Sequence, residues 1–419
     1  MKFSVFTPTH NLMFIKEAAD SLLNQTYEDF EWIVLLNNGP SVESFWGVIG
    51  ADRKSDSRIR VIQSLNSDGN VGSVKGEACS HCEGDIMVEL DHDDILLPYA
   101  LERLHKVFSE KENVVYAYSN YANFDRNWNP YIVSSVYGWE NRDFEYNGIK
   151  MSEGVAPEPL PTNILNVWFG PNHVRAWRSI TYNKVGGFDE SMSVGDDHDL
   201  YCRMYTEGDF YHIDECLYLY RIHGENTWLK NSQAIQDIQW NTYDRYLYKI
   251  IGHWSKLNNK LQIDVCSHGN APNGLVSVDL SGADVNTDLN ERWPFADNSV
   301  GLIRAQDAIE HLKDPIHTMN EAYRVLCHGG MFLIEVPSTD GRGAWQDPTH
   351  VSKWNENSFW YYTKSSFSHF IPDYNGRFHA RRLLTYFPSE WHEQNNISYV
   401  RAHLVALKDG PKIHGLIEI

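Results

Sequence analysis

The stretch Glu89-Leu90-Asp91-His92-Asp93-Asp94 places several carboxylates directly after a short apolar segment, residues 86–90. Such a short apolar run predicts a buried β-strand. Like charges crowded at a strand end repel one another unless a cation or a polar ligand neutralises them, and carboxylate oxygens suit Mg²⁺ or Mn²⁺. The alternative is a solvated acidic turn in which Asp94 caps a following helix. The stretch therefore predicts either a divalent-cation site or a helix cap.

Two further predicted strands lie near the start of the chain. The first begins at Phe3 and is expected to stop at Pro8, and apolar spacing over residues 15–23 predicts a helix after it. The second covers residues 30–36 and ends at the turn that contains Asn37. Strand, helix and strand in this order imply a parallel sheet, whose ligands bind at the carboxyl ends of the strands. We therefore expect the residues that follow these strands to meet the acidic stretch.

Together these motifs resemble the family 2 glycosyltransferases, inverting enzymes of the GT-A fold that use nucleotide-diphosphate sugars. The matching segments are Thr7-Pro8-Thr9-His10-Asn11, residues 25–31, Asn70-Val71-Gly72 with Lys75-Gly76, and Leu90-Asp91-His92-Asp93-Asp94. The resemblance implies an α/β GT-A domain and a nucleotide-sugar donor. The nucleotide-sugar-binding residues that it implies are Thr7, Pro8, Thr9, Asn11, Asn37, Asn38, Lys75 and Asp91.

The same resemblance implies a bound Mn²⁺ or Mg²⁺, held by Asp91, Asp93 and His223. A lone histidine is more often structural than a ligand. His223, however, follows a predicted strand and stands in a Tyr-Arg-x-His pattern similar to the family's. The chain also departs from the family, which usually has Asp-Asp where this sequence has Asn37-Asn38. An amide donates as well as accepts hydrogen bonds, so the identity of the donor's base stays open.

A second acidic segment, residues 194–203, contains Asp196 and Asp197. Acidic residues are common in the first turn of a helix, where the free N–H groups stabilise them, so a purely structural role is one interpretation. The order of residues is nevertheless similar to the family segment that carries the catalytic base. The resemblance assigns that role to Asp197, with Asp196 as the second candidate.

Residues 116–139 are rich in aromatic side chains, among them Tyr116, Tyr121, Tyr137 and Trp139. Aromatic faces with polar edges suit sugar stacking, although packing in the core explains part of the set. The sequence leaves both interpretations open.

Length and composition narrow the class of protein. The chain has 419 residues, which suggests two domains, and a formal net charge of −20, which argues against a nucleic-acid partner. No apolar run approaches the roughly 20 residues that a transmembrane helix needs, and the start of the sequence does not read as a signal peptide. Six scattered cysteines suit a reducing compartment. We therefore expect a cytoplasmic protein without a transmembrane segment.

A helix over residues 235–254 is predicted to close the first domain, which we place at residues 1–258. Beyond it the strand pattern restarts, at residues 261–265, 275–279, 300–304 and 331–337, and a helix over 315–326 separates the last two. This order predicts a second parallel α/β sheet in a Rossmann-like domain at residues 259–419.

The second domain resembles a class I S-adenosylmethionine-dependent methyltransferase. The matching segments are Val278-Asp279-Leu280-Ser281, residues 288–300, Ile309-Glu310-His311-Leu312, Arg324-Val325-Leu326 and Asp347-Pro348-Thr349-His350. The resemblance implies S-adenosylmethionine as a cofactor, with Asp264, Gly269, Asp279 and Asp288 as its binding residues and Asp279 on the ribose hydroxyls. Cys266 and His268, however, stand where the family has glycines that let the backbone approach the cofactor. An active methyltransferase and a domain that no longer methylates are about equally supported.

The sequence therefore predicts a metal-dependent inverting glycosyltransferase that acts on a glycan, a lipid-linked glycan or another hydroxyl acceptor. One alternative is a bifunctional glycosyltransferase and methyltransferase that modifies a surface polysaccharide. Another is a non-catalytic glycan-binding scaffold, which the intact acidic motifs disfavour in the first domain. A second copy of the chain stays a candidate partner, as the attached domain could be a dimerising module.

Overall fold

The computed structural model describes residues 1–65, 70–132, 139–224 and 226–410. The chain divides into two compact units. The first comprises residues 1–159 and 163–247, and the second comprises residues 160–162 and 248–419. The division falls inside a long helix, so the domain boundary after residue 258 stays a prediction.

The first unit is built on one large sheet. Its strands are β1 Phe3–Thr9, β2 Phe30–Leu36, β3 Ile59–Gln63, β4 Ile86–Glu89, β5 Ile95–Leu96, β6 Val114–Asp125, β7 Pro130–Tyr131, β8 Asn141–Tyr146, β9 Ile149–Gly154, β10 Arg175–Arg178 and β11 Asp209–Ile222. Neighbouring strands follow the order β3-β2-β1-β4-β10-β6-β11-β5, and β7 and β9 pair with β6 while β8 pairs with β9.

Helices cover this sheet or connect its strands. They are α1 Ile15–Leu23, α2 Val42–Ile49, α3 Val71–Ser80, α4 Ala100–Glu110, α5 Pro161–Asn166, α6 Ser179–Lys184, α7 Asp196–Tyr205, α8 Thr227–Lys230 and α9 Ser232–Leu257, and a 3₁₀ turn spans Ala51–Ser55. Helix α1 buries Ile15, Ala18, Ala19 and Leu22, which recur at steps of three and four residues. These side chains lie in the same apolar core as the buried residues of β1 and β2.

The prediction that Pro8 stops the first strand is wrong, because β1 continues to Thr9. Strand β4 pairs with β1 only over Phe3–Phe6, while β2 accompanies β1 over its whole length. Beyond Phe6, one edge of β1 is therefore free of ladder hydrogen bonds. A residue without an N–H group can occupy such an edge.

The parallel pairing predicted for the first strands is confirmed, but the sheet as a whole is mixed. Strands β1, β2, β3 and β4 are parallel, but β10 runs antiparallel to both β4 and β6. Asp94 does not cap a helix, because the short strand β5 follows it directly and α4 begins only at Ala100. The side chain of Asp94 is buried instead. The helix-cap interpretation of the acidic stretch is therefore wrong.

The second unit holds a separate sheet. Its strands are β12 Leu261–Val265, β13 Val276–Asp279, β14 Val285–Asn286, β15 Val300–Gln306, β16 Leu326–Pro337, β17 Phe378–Tyr386 and β18 Tyr399–Ala406. Its helices are α10 Pro315–Val325, α11 Gly343–Gln346, α12 Trp360–Thr363, α13 Ser365–Ser368 and α14 Glu390–Gln394, with 3₁₀ turns at Ile309–His311 and Glu356–Phe359.

The strand order in this sheet is β14-β13-β12-β15-β16-β18-β17. The first five strands are parallel, as predicted, whereas β18 runs antiparallel to both of its neighbours. The unit is thus a Rossmann-like α/β domain with its own apolar core. Across the described parts of both units, no helix combines the length and the apolar character that crossing a membrane requires.

Candidate functional site

The carboxyl ends of β2, β1 and β4 lie side by side and carry the residues predicted to bind a nucleotide. Asn37 follows β2, and its N–H donates to the carbonyl of Thr9 at the end of β1 over 2.9 Å. Asn38 is exposed and has a φ of +49°, a left-handed conformation that asparagine tolerates. Pro8 is half-buried and Asn11 is exposed. The turn after β2 therefore lies beside the end of β1.

Thr7 and Thr9, the two threonines predicted to bind the nucleotide-sugar, are more deeply buried than Pro8 between them. Thr7 is fully buried, and its hydroxyl accepts a hydrogen bond from Trp32 Nε1 over 2.9 Å. Thr9 is also buried, and its hydroxyl donates to the carbonyl of Asn11 over 2.7 Å. Both side chains stabilise the end of β1 and the turn after it.

The acidic loop after β4 is joined to the end of β11. His223 Nε2 lies 2.5 Å from Asp93 Oδ2, so the structure brings together two of the three predicted metal ligands. Asp94 accepts hydrogen bonds from the Tyr218 hydroxyl over 2.9 Å and from the Arg221 backbone N–H over 2.7 Å. Desolvation raises the pKa of Asp94 well above its usual value, and Asp93 and Asp91 add to the rise. Asp94 thus has a structural role, anchoring the loop to β11.

Arg221 holds the loop in place from the other side. Its Nε donates to the carbonyl of Asp93 over 2.8 Å, and its Nη2 pairs with Glu17 over 2.8 Å. The guanidinium also lies over the rings of Phe14 and Phe124, at 4.2 and 4.4 Å from their centroids. A buried arginine with these partners fixes the conformation of the Asp93 backbone.

Asp91 lies at the open side of the loop, with its side chain 32% exposed. Ligand atoms of Asp91, Asp93 and Asp94 lie within 4.8 Å of one another, and the same holds for Glu89, Asp91 and His173. Desolvation, with the charges of Glu89 and Asp93, raises the pKa of Asp91 to about 7. A divalent cation would favour the ionised form of such a carboxylate, so the chemistry of this donor set fits Mg²⁺ or Mn²⁺.

A network of buried ion pairs continues from Glu89 to the second acidic segment. Lys75 Nζ lies 2.7 Å from Glu89 Oε1 and 3.2 Å from Asp196 Oδ2. Desolvation opposes a charged lysine, but Asp196 and Glu89 raise its pKa well above the ordinary value. Lys75 is therefore a buried cation between two carboxylates.

Arg175 extends the same network to the predicted base. Its Nη1 lies 2.7 Å from Asp197 Oδ2 and 3.4 Å from Glu89 Oε2. Desolvation opposes the charged form of Asp197, but Arg175 and Lys75 together lower its pKa. Desolvation dominates at Asp196 and raises its pKa despite Lys75. The two neighbouring aspartates thus have opposite shifts, and only Asp197 has appreciable exposure, at 22% of its side chain against 5% for Asp196.

The close packing of α3 against the segment before α7 sets this geometry. Gly72 N donates to the carbonyl of Met192 over 3.0 Å, and Asn70 Nδ2 donates to the carbonyl of Glu190 over 2.8 Å. A Cβ atom on Gly72 would lie 2.2 Å from the carbonyl oxygen of Asp189. Only glycine permits this approach, which places Lys75 one turn along the helix beside Asp196.

Two members of the site, Glu89 and Arg175, were not predicted from the sequence. Arg175 lies at the start of β10, whose pairing with β4 brings it opposite Glu89. A single sequence carries no signal for this antiparallel pairing, since the two strands are separated by some 80 residues of chain. Glu89, in contrast, lies at the end of a predicted strand, close to Asp91. This position alone could have identified it as a candidate site residue.

The aromatic region before the second acidic segment is largely core. Tyr116 is buried and stacks on Phe210 and Trp177, with ring centroids 4.6 and 5.6 Å apart. Tyr121 and Trp139 are buried as well. Tyr137 lies outside the described residues. Core packing therefore explains Tyr116, Tyr121 and Trp139, whereas Tyr131 is exposed.

In the second unit, the predicted cofactor loop follows β12. Cys266, His268 and Gly269 have φ angles of +56°, +49° and +75°, so the loop adopts the left-handed conformations that glycines would favour. No helix occurs in residues 266–275, all of which are described. A Cβ on Gly269 would lie 2.4 Å from the carbonyl oxygen of Gly282, so this glycine is required by loop packing.

The predicted cofactor carboxylates have partners within the protein. Asp279 accepts from the backbone N–H groups of His268 and Leu280, over 2.8 and 2.7 Å. Asp264 is buried and pairs with Arg304 at 2.9 Å, while Asp288 is exposed and accepts from Asn290. Cys266 is half-buried and His268 is exposed, at the two positions where the resemblance implies glycine. The residues of this loop thus depart from the pattern that the resemblance implies for S-adenosylmethionine binding.

Comparison with known families agrees with both resemblances. The model of glycosyl transferase family 2 matches residues 4–166, and a methyltransferase domain model matches residues 260–334. The chain is 28% identical over 228 residues to a chondroitin synthase of Escherichia coli, which covers 54% of this chain and 30% of the relative. It is 27% identical over 230 residues to a hyaluronan synthase of Pasteurella multocida, covering 54% and 21% of the two chains. The chain thus spans less than a third of the length of these relatives.

Among solved structures, the chain is similar to S. aureus TarS 1-349, with 17% identity and a TM-score of 0.43 over 62% of this chain and 73% of that one. The fold assignment rests on the family models and on the strand order. Residues 4–166 thus form a glycosyl transferase family 2 domain, and residues 260–334 match a methyltransferase domain.

Proposed function

We propose that the first unit transfers a sugar from a nucleotide-diphosphate donor to a hydroxyl group of a glycan acceptor, with inversion at the anomeric carbon. The observation that carries the proposal is the convergence of two acidic motifs on one sheet edge. Lys75, Glu89 and Arg175 connect Asp91 of the first motif to Asp196 and Asp197 of the second. A donor held at the first motif would present its sugar to the second.

The proposed reaction is a single displacement. The acceptor oxygen attacks the anomeric carbon, and the bond from that carbon to the diphosphate oxygen breaks. The nucleoside diphosphate leaves with the electron pair, and the hydroxyl proton passes to a carboxylate of the protein. One displacement without a covalent sugar intermediate inverts the anomeric configuration.

We assign the role of general base to Asp197. A base must be ionised and must reach the acceptor hydroxyl. Arg175 favours the ionised form of Asp197, and the carboxylate retains exposure, whereas Asp196 is buried against Lys75. The position of Asp197 at the first turn of α7 keeps its other oxygen on the backbone N–H of His198, at 2.8 Å. Its rotamer is therefore fixed by two partners.

We assign Asp91, Asp93 and His223 to a divalent cation, Mn²⁺ or Mg²⁺. When bound, this cation would neutralise negative charge on the departing diphosphate. The protein's own contribution is the orientation of the ligands: Arg221 holds the Asp93 backbone, and Asp94 anchors the loop to β11. Asn37, Asn38, Pro8 and Asn11 would border the nucleoside at the ends of β1 and β2, and the base that they select stays open.

The acceptor is proposed from the relatives. Their names, chondroitin synthase and hyaluronan synthase, refer to polysaccharides. A glycan or lipid-linked glycan acceptor is therefore the class that we propose for this chain. The second unit would support this reaction as an attached fold, without methyl transfer, because Cys266 and His268 replace the glycines that the resemblance implies in its cofactor loop.

The experiment is a transfer assay on the full chain. UDP-, GDP- and dTDP-sugars are offered with Mn²⁺ or Mg²⁺ and a panel of oligosaccharide acceptors, and product linkage is read by NMR. The proposal predicts release of nucleoside diphosphate that depends on acceptor, with a linkage of opposite anomeric configuration to the donor. A product with retained configuration would contradict the single displacement.

A further inference from the structure

A second cluster of metal-binding side chains lies in the methyltransferase-like unit, outside the site described above. Ligand atoms of Glu310, His311 and His350 lie within 4.8 Å of one another. Glu310 and His311 belong to the 3₁₀ turn after β15, and His350 precedes a loop that returns to that turn. The backbone N–H groups of Val351 and Ser352 both donate to the carbonyl of Glu310, over 2.8 and 3.0 Å. These bonds hold the two segments together.

Glu310 is the unusual member of this cluster. The residue is 1% exposed, and within the described part of the chain neither of its carboxylate oxygens has a hydrogen-bond partner. The nearest histidine atom, His350 Nε2, is 4.0 Å away. His350 Nδ1 is also buried without a partner in the same described residues. The ionised form of a buried carboxyl group in this situation carries a large desolvation cost unless a cation or water occupies the space beside it.

His311 is oriented as metal-binding histidines usually are. Its Nδ1 lies 3.2 Å from the carbonyl oxygen of Thr349. Because a carbonyl oxygen only accepts, Nδ1 must carry the proton, and the lone pair of the neutral ring is then on Nε2. Donation of the second ring nitrogen to a backbone carbonyl is the arrangement that fixes the tautomer of metal ligands. The ring of His311 is also packed edge-on against His350, with centroids 5.0 Å apart.

A further carboxylate is within reach. Asp347 Oδ2 lies 3.8 Å from His350 Nε2, and Asp347 is bound to the Thr349 N–H and hydroxyl. In a tetrahedral zinc site, neighbouring ligand atoms are about 3.3 Å apart. Small side-chain rotations would therefore convert the present spacing into a coordination shell.

We propose that Glu310, His311 and His350, with Asp347 as a fourth ligand, form a site for Zn²⁺ or a similar late first-row divalent cation in the second unit. Two imidazoles and a carboxylate suit Zn²⁺, Co²⁺ and Ni²⁺ better than Mg²⁺, which prefers oxygen ligands and retains its waters. This site is independent of the glycosyl-transfer proposal and concerns a different set of side chains.

The test uses the full chain with the first motif disabled, as Asp93→Ala combined with His223→Ala. Zn²⁺ is titrated by calorimetry, and Co²⁺ is titrated by its visible absorption, whose intensity reports the coordination geometry. We expect about one ion per chain and a rise of the melting temperature on Zn²⁺ addition. Adding Glu310→Gln, which keeps the shape of the side chain, should weaken Zn²⁺ at least about tenfold.

His350→Gln provides a second ligand variant, and His369→Gln, at an exposed histidine, is the matched control that should bind as before. Circular dichroism establishes that each variant is folded. The proposal is overturned if the chain with the first motif disabled binds no Zn²⁺ or Co²⁺. It is equally overturned if Glu310→Gln and His350→Gln bind Zn²⁺ with unchanged affinity while remaining folded.

Discussion

Arg175 and Lys75 determine the charge state of the site at the scale of single residues. Each lies between two carboxylates, and Glu89 is shared by both. These ion pairs are buried, so removal of one partner leaves an uncompensated charge that costs several kcal/mol. The network therefore stabilises the ionised form of Asp197 through specific neighbours and not through exposure to water.

Asp197→Asn tests the assignment of the base. The amide keeps the shape and can still interact with His198 N–H, but it cannot accept the acceptor's proton. Sugar transfer should fall by a factor of ~10² or more, while affinity for the donor is retained. Turnover and donor affinity are measured separately, by product formation and by calorimetry. Asp143→Asn, at an exposed position on β8, is the control. Near wild-type transfer by Asp197→Asn would move the role to Asp196.

Protonation of His198 makes the free energy of unfolding depend on pH. Burial lowers its pKa to about 4, and its Nε2 lies 3.1 Å from the carbonyl of Ile164. Because the folded pKa lies below the unfolded value of about 6.5, the neutral form stabilises the fold above pH 6.5 and this contribution is lost as pH falls toward 4. In His198→Gln, the free energy of unfolding should fall less steeply with decreasing pH, by up to about 1.4 kcal/mol per pH unit. Urea unfolding of both chains between pH 7 and 4.5 measures the difference, and parallel pH profiles would refute it.

At this scale, the sequence predicted residues whose motif is local. Asp91 and Asp93 lie within one acidic stretch, and the contact of Asp93 with His223 was implied by the resemblance to the family's Tyr-Arg-x-His pattern. Arg175 could not be predicted, because its role depends on the pairing of β10 with β4. The ligand and base roles themselves stay predictions.

At the scale of elements, the contact between α3 and the segment before α7 is decisive. Gly72 allows the two backbones to meet, and Lys75 follows on the same helix. Gly76 lies on α3 as well, but a Cβ there would have its nearest neighbour at 3.8 Å, in the Glu190 side chain. The two glycines thus form a matched pair, one required by packing and one free to change.

Gly72→Ala should destabilise the protein by roughly 1–3 kcal/mol, because the methyl group forces α3 away from the Asp189 carbonyl. The displacement should also separate Lys75 from Asp196 and reduce sugar transfer. Gly76→Ala should leave activity intact and be neutral or stabilising by up to ~1 kcal/mol, as alanine favours the helix. Denaturant unfolding and the transfer assay are run on both variants. Equal stability of the two variants would show that the close approach is not required.

Several elements could be predicted from apolar periodicity alone. Helix α1 and strands β2 and β12 are confirmed at their predicted bounds, and α9 contains the predicted helix. Strand direction was harder, because β10 and β18 pair antiparallel with strands far away in sequence. Strand β5 has only two residues, too few for a periodic signal. Periodicity reports which face of an element is buried, and not its neighbour in the sheet.

At the scale of the whole molecule, two α/β units with different sheets share one chain. Both resemblances were correct, since each family model matches the expected half. Motif order and composition identified the fold classes. The state of the second unit's cofactor loop could not be predicted, because it depends on the φ angles of Cys266 and His268 and on the partners of Asp279.

Titration of the full chain with S-adenosylhomocysteine tests that loop. We expect no binding or only weak binding, because two side chains replace bare backbone and no helix follows β12. Calorimetry on the wild type and on Asp279→Ala gives the affinity. Tight binding that disappears in Asp279→Ala would show a working pocket and would favour the bifunctional alternative.

If the two acidic motifs form one metal-dependent nucleotide-sugar site, nucleotide binding must require a cation, and calorimetry measures this requirement. UDP, GDP and dTDP are titrated into the full chain with Mn²⁺, with Mg²⁺ and with excess EDTA, and the series is repeated with Asp93→Ala. We expect at least one nucleotide to bind when a cation is present, and we expect EDTA or Asp93→Ala to abolish this binding. Nucleotide affinity that is unchanged in EDTA and in Asp93→Ala would contradict it.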